Sequence, residues 1–404
     1  MNRFLNILAL TFSLATLWIG CAQEDAIKFE KGDEEIEIQI PQEGYIFFNA
    51  SMQKNTRGTV IRRELHEDFS VLGYRYPSQW SSEAPQARQD KKILYTDDSG
   101  QLTSNNYMGV FHPKGNDNPP SQQTITWKGT FHEYSPLQEW QKNLKYAFFA
   151  WYPSTLKANG GNDSYEGLPF ITYNLPLGTG RDARMNMYDV LTANEVGYTK
   201  SNGLSVDLQM VHRLVALDIK AASLINAKAL KDTYGDNKTT NYISAWDEST
   251  LDNSEPVYLK VDDIKLTLNK IKTSARIELN PTFVGKSLTA TGELTPTYVD
   301  FAGADRIGYL TTEDDIHSLV GNDEKLILIP QEDPINVTIE LDYHITCNGH
   351  TKDFDDVKVE GVKINKLSEN TYNYLLINFT KSGLFVKALS NDVWEDVNVK
   401  HEFE

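Results

Sequence analysis

Val337-Thr338-Ile339-Glu340-Leu341-Asp342-Tyr343-His344-Ile345 alternates apolar and polar residues without a break. Successive side chains of a strand point to opposite faces, so this pattern reads as a strand with one buried and one wet face. Ile264, Leu266 and Leu268 alternate in the same way with Lys265 and Thr267. Residues 45–48, 69–74, 146–151, 326–329 and 374–379 are instead largely continuous apolar runs. Such runs suit strands covered on both faces inside a sandwich. Tyr and Phe are abundant, and both favour strands.

Helical spacing is scarce. Residues 221–230 are expected to form a short helix. Thr312, with Glu313, Asp314 and Asp315 behind it, is expected to cap a second one that runs to Leu319. Strands at irregular spacing, separated by Gly, Pro, Asn and Asp, argue for an all-β sandwich architecture. The polar segments 78–90, 115–123 and 159–166 read as exposed loops, because they carry too little apolar surface to pack. Residues 206–221 form the apolar centre of the chain, a strand pair or a bent strand interrupted by His212-Arg213. The 404 residues are enough for two domains. The expected boundary lies near Gly203, between an N-terminal domain at 45–203 and a C-terminal domain at 204–404.

The N-terminus sets the compartment. Arg3 precedes an apolar run over residues 4–19, followed by Gly20 and Cys21. A charged start, an apolar stretch and a small residue before a cut site describe a signal peptide, here residues 1–20. The run is short for a spanning helix, which needs about 20 apolar residues. Leu17-Trp18-Ile19-Gly20-Cys21 resembles a bacterial lipobox, with Trp18 where leucine is preferred. Cys21 is therefore the candidate lipidation site, carrying an acyl chain such as palmitate, and residues 21–44 form a linker. Glu24-Asp25 next to the lipid resembles the surface-export signal of Bacteroidetes lipoproteins, which implies the cell surface and the outer membrane.

Apart from Cys21, Cys347 is the only cysteine, so a lipidated chain has no pair left for an internal disulfide. Stability must then come from buried core. A net charge of −17 argues against nucleic acid, whose phosphates require a basic surface. It also disfavours electrostatic docking on anionic lipid.

A search for chemistry finds little. His344, Cys347 and His350 are the nearest approach to a metal set. The simpler reading makes His344 the wet member of a strand and Asn348-Gly349 a tight turn. Gly178-Thr179-Gly180 lacks the third glycine of a dinucleotide loop and reads as a flexible loop. Adjacent carboxylates such as Asp314-Asp315 and Asp355-Asp356 read as solvated faces. No catalytic residue, metal or cofactor is assigned, and no enzyme activity is expected. Trp127, Trp140, Trp151 and Trp246 raise a carbohydrate-stacking platform, although Trp151 lies in a core-like run.

Taken in order, several stretches resemble the fimbrillin family of Bacteroidales, the FimA/Mfa-like major and accessory subunits of type V pili. They are the lipobox-like Cys21, residues 45–48 followed by Thr56-Arg57-Gly58, and Asp68-Phe69-Ser70-Val71-Leu72-Gly73-Tyr74. Ala147-Phe148-Phe149-Ala150-Trp151-Tyr152-Pro153 comes next. Asp189-Val190-Leu191-Thr192-Ala193 and Val206 to His212-Arg213-Leu214 follow. Leu328-Ile329-Pro330-Gln331, residues 373–379 and Trp394 complete the set. The resemblance implies two tandem β-sandwiches of transthyretin- or immunoglobulin-like type, and a non-catalytic fimbrial subunit supporting cell adhesion. It implies export as a lipoprotein and cleavage by an Arg-specific surface protease. The first strand then leaves, and a strand donated by another fimbrial subunit replaces it. The candidate removable strand is residues 45–50, and the candidate cut lies between Arg57 and Gly58, with Arg62-Arg63 a rival. The donor strands are expected within 384–404, in two pieces, Leu384-Phe385-Val386 and residues 393–399. These fit equally as the last hairpin of the second domain. The alternative function is a surface lipoprotein that binds a glycan or host protein and never polymerises.

Overall fold

The computed structural model describes residues 28–31, 34–37, 44–56, 59–77, 86–87, 93–96, 102–104, 123–127, 132–134, 137–159, 168–200, 205–225, 257–301, 304–311, 315–320, 325–347, 350–380 and 383–391. Strands dominate it. The alternating segment at the head of the sequence is the core of the strand Ile335–Cys347, with Val337, Ile339, Leu341, Tyr343 and Ile345 buried. Val257–Asn269 and His350–Ile364 flank it as antiparallel partners. Thr297–Tyr298 and Ala304–Ile307 complete this five-stranded sheet.

A second five-stranded sheet contains His317–Ser318, Val215–Ser223, Thr371–Thr380 and Gly383–Asn391 in that order, with Leu326–Leu328 also on Val215–Ser223. Its central pair, Val215–Ser223 and Thr371–Thr380, is parallel. The largest sheet has eight strands. Its order is His132–Glu133, Gln123–Trp127, Phe69–Pro77, Leu144–Tyr152, Leu191–Tyr198, Ser205–His212, Phe47–Thr56 and Thr59–Glu64. A four-stranded sheet joins Ala158–Asn159 and Phe170–Asn174 to Ser274–Glu278 and Leu288–Thr291.

The continuous apolar runs lie in the middle of this framework because both of their faces are covered. In Leu144–Tyr152, Tyr146, Phe148 and Ala150 enter one apolar cluster. Ala147, Phe149 and Trp151 enter the other, larger one. Phe69 and Val71 divide from Leu72 and Tyr74 in the same way on the neighbouring strand. At roughly 1.5–3 kcal/mol per buried large apolar side chain, these two clusters are the main stabilising term.

Several expectations change. Residues 221–225, the described part of the expected helix at 221–230, continue the strand Val215–Ser223 and the chain beyond it. The parallel ladder to Thr371–Thr380, reaching Ser223↔Phe379, overrides their weak helical pattern. Thr312, Glu313 and Asp314 lie outside the described residues, and the segment meant to follow them holds the short strand His317–Ser318. Two short helices that had no clear sequence signal are present, Arg181–Met185 and Pro281–Val284. The second has proline in its first turn and ends on Gly285 at φ +76°, a left-handed position that suits glycine. Ser205–His212, just past the expected boundary at Gly203, belongs to the eight-stranded sheet through its parallel ladder with Phe47–Thr56. The change of sheet therefore falls at Arg213-Leu214. The ladder between Phe170–Asn174 and Ser274–Glu278 also ties the two halves of the chain together. No helix among the described residues is long and apolar enough to cross a membrane.

Candidate strand-exchange site

The segment expected to leave is built into the eight-stranded sheet, one strand in from its edge. Phe47–Thr56, here the entry strand, runs parallel to Ser205–His212 with Phe47 opposite Ser205 and Met52 opposite Met210. Its other edge pairs antiparallel with Thr59–Glu64, from Ser51↔Glu64 to Thr56↔Thr59. Its start is a continuous buried run, with Phe47 buried as well. Ile46, Phe48 and Ala50 are buried in the smaller cluster, while Asn49 lies on the wet face and donates to Asp207 at 3.3 Å.

The approach to the strand is pinned as well. Ile46 N–H donates to Gln138 O at 2.8 Å, and Trp140 N–H donates to Gly44 O at 2.7 Å. Gly44 sits at φ +106°, which a residue with a Cβ would adopt only with strain. The Tyr134 hydroxyl donates to Ile46 O at 2.8 Å and accepts from Gln138 N–H at 3.2 Å. Farther along, Leu65 N–H donates to Ala50 O at 2.9 Å.

Aromatic rings form the wall that receives these side chains. Phe48 meets Phe148 and Tyr134 with centroids 5.2 and 5.7 Å away. Trp140 stands edge-on to Tyr146 at 4.9 Å and stacks on Tyr198 at 5.7 Å. Burial pushes the hydroxyls of Tyr134, Tyr146 and Tyr198 above the ordinary tyrosine range. Burial likewise raises the Glu195 carboxyl, and the charge of Asp207 adds to the effect. The site is a buried apolar cluster bordered by the polar Asn49, Asp207 and Glu195.

Cys21, Arg57 and Gly58 lie outside the described residues. The residues on either side of the expected cut, Thr56 and Thr59, are register partners. The rival pair, Arg62 and Arg63, lies inside the strand, opposite Gln53 and Met52. At the other end of the chain, Leu384-Phe385-Val386 belongs to Gly383–Asn391, which pairs along its length with Thr371–Thr380. Residues 393–399 lie outside the described residues.

The remaining candidates resolve into structure. Trp151 is fully buried and Trp140 nearly so, which removes both from any exposed platform. The side chain of Trp127, and Trp246 altogether, fall outside what is described. His344 Nδ1 lies 2.7 Å from Asp262 Oδ2 on the neighbouring strand. Cys347 and His350 are register partners at the end of the same hairpin. Among the described residues no group of three or more His, Cys, Asp or Glu is placed to hold a metal ion. The Gly178-Thr179-Gly180 loop is held in place, since Thr179 O accepts from Val299 N–H at 2.8 Å. A Cβ at Gly178 would come within 2.7 Å of the Ala183 Cβ. Beside it the fully buried Arg184 donates to Val299 O and, at 2.6 Å, to Asp300 O. No sequence motif marks Arg184, because its partners are more than a hundred residues away.

Among solved structures, the fimbrial protein of Bacteroides vulgatus ATCC 8482 matches over 81% of this chain and 93% of its own, with a TM-score of 0.52 at 14% identity. The chain has the fold of a Bacteroidales fimbrial protein. The resemblance to fimbrillins read from the sequence holds at the level of fold. The fimbrial anchor protein Mfa2 of Porphyromonas gingivalis matches over 86% of this chain and 97% of its own, with a TM-score of 0.29 at 8% identity. A fimbrial protein of Bacteroides ovatus ATCC 8483 matches over 85% and 50%, with a TM-score of 0.28 at 12% identity. No family model and no curated protein matches the sequence.

Proposed function

We propose that this chain is a fimbrial subunit of the bacterial surface that assembles by exchanging its entry strand and supports adhesion without catalysis. It is exported as a lipoprotein through Cys21 and carried to the outer membrane. An Arg-specific protease cuts between Arg57 and Gly58. The entry strand then departs with the lipid, and a strand from another subunit takes its place beside Ser205–His212.

One observation carries this reading. The entry strand lies near the start of the chain, contributes Ile46, Phe48 and Ala50 to a buried apolar cluster, and is continuous in sequence with its hairpin partner through the two residues of the expected cut. A single cleavage there leaves the strand held by non-covalent contacts alone. The vacated edge would then present unpaired backbone groups beside an apolar channel, which favours capture of an extended strand. Arg62-Arg63 suits a protease less well, because both residues are tied into a ladder. The fold shared with a fimbrial protein supports the same reading. The buried Trp140 and Trp151 count against a glycan-stacking lipoprotein.

N-terminal sequencing of the protein sheared from intact cells tests the proposal. Assembled material is expected to begin at Gly58 and to form a ladder of oligomers on unheated gels. If every molecule begins at Cys21, the polymerising reading fails.

A further inference from the structure

The chain leaves the eight-stranded sheet at His212 and enters the next sheet at Val215. That crossing is unusually well tied for a two-residue connection. His212 Nδ1 meets Asp189 Oδ2, and the other oxygen of Asp189 accepts from Val190 N–H at 2.8 Å. Arg213 N–H donates to Val190 O at 2.8 Å. The Arg213 guanidinium donates through Nε to Thr192 Oγ1 and through Nη1 to Glu369 Oε1 at 2.5 Å. The second oxygen of Glu369 accepts from Ser287 Oγ. Asn370 N–H donates to Leu214 O at 3.3 Å.

These contacts run in one direction. They start beside Ser205–His212, the strand that holds the entry strand. They end at Glu369, two residues before Thr371–Thr380, which carries Gly383–Asn391 on its outer edge. The Arg213 side chain is 10% exposed and that of Glu369 22%, so the ion pair is partly shielded from water. Removing one partner of such a pair leaves the other charge poorly solvated, which is a large penalty compared with loss of a surface pair.

We infer that Asp189, His212, Arg213 and Glu369 form a mechanical coupling, passing tension from Ser205–His212 into the parallel pair Val215–Ser223 and Thr371–Thr380. Tension along a parallel pair loads its backbone hydrogen bonds together in shear, whereas an untied connection would peel open one bond at a time. The use of this coupling in a fibre rests on the polymerising reading above, but the coupling itself is a property of the single chain.

Single-molecule pulling on the full chain tests it, with Cys21 and Cys347 replaced by serine. One pair of handles, Gln209→Cys and Phe385→Cys, pulls across the crossing from opposite ends of the parallel pair. A second pair, Asp355→Cys and Ser390→Cys, pulls within the C-terminal sheets. Arg213→Met and Glu369→Gln are each expected to lower the rupture force in the first geometry and leave it unchanged in the second. Combining them is expected to cost no more force than either alone. An equal drop in both geometries would reveal general destabilisation and overturn the inference, as would no change in the first. Should Arg213→Met fail to fold, Glu369→Gln, which is isosteric with the native side chain, carries the same comparison. Because the measurement needs no polymer, its failure is distinct from failure of strand exchange.

Discussion

Phe48 stands edge-on to Phe148, with ring centroids 5.2 Å apart and planes at 83°. One ring belongs to the entry strand and the other to the middle of the first sheet, and both are buried. Edge-to-face contact adds to the hydrophobic gain for such rings. Phe48→Ala is therefore expected to destabilise the uncut chain by about 3–5 kcal/mol in a denaturant titration. A loss below about 1 kcal/mol would mean that the channel does not grip the strand, because a buried Phe cannot be truncated that cheaply in a packed core.

Alkaline pH should loosen the fold. Burial is the first cause that raises the hydroxyls of Tyr134, Tyr146, Tyr173 and Tyr298. Their folded pKa values lie above the unfolded value of about 10, so the native state holds more protons in that range. Their contribution is complete below pH of about 10 and is lost as pH rises beyond it. Melting temperature is expected to fall from about pH 10 upward, in step with tyrosinate absorbance. A flat profile through that range would contradict the buried, neutral hydroxyls.

Glu195 makes the opposite test near acid pH. Its carboxyl is raised first by burial and then by the charge of Asp207. A raised folded pKa means that ionisation at neutral pH costs stability, and that the cost disappears as the group protonates in acid. Glu195→Gln is expected to raise the melting temperature at pH 7 and to leave it unchanged well below the ordinary carboxylate range. A variant that is less stable at pH 7 would show that the charge is favourably used.

Asp218 is 1% exposed and accepts from Tyr372 Oη at 2.5 Å, Ser318 Oγ at 2.8 Å and Ile219 N–H at 2.7 Å. Asp218→Ala leaves the buried Tyr372 hydroxyl and Ile219 N–H without this acceptor, while Ser318 Oγ can still donate to Val320 O, at a cost of about 2 kcal/mol or more. Asp218→Asn keeps one acceptor oxygen and should lose less. Equal losses for the two variants, measured by denaturation, would place the effect in packing rather than in the hydrogen bonds.

The strands were legible because hydrophobic period is a local property. Ile335–Cys347 and the runs around Phe69 and Phe148 announce themselves within nine residues. The partners of those strands were not legible. Nothing near Phe47 points to Ser205, and nothing near Arg213 points to Glu369, 156 residues later. The same limit explains the expected helix at 221–230, where the apolar small residues Ala221 and Ala222 suit either state until Thr371–Thr380 is beside them. It also explains why Asp189-Val190-Leu191-Thr192 and His212-Arg213 were seen as two motifs. In the fold they are one object, with Arg213 bonded to Val190 and Thr192.

Parallel pairing of Phe47–Thr56 with Ser205–His212 has a temporal consequence. A chain is made from its N-terminus, so this strand can pair at once with Thr59–Glu64 but lacks its parallel mate until about 150 further residues have followed it. It must be among the late pieces to settle, closing a sheet whose other strands are already close at hand in sequence. Under the proposed strand exchange, the last step of folding and the first step of assembly are the same movement run in opposite directions, the seating and the unseating of one strand.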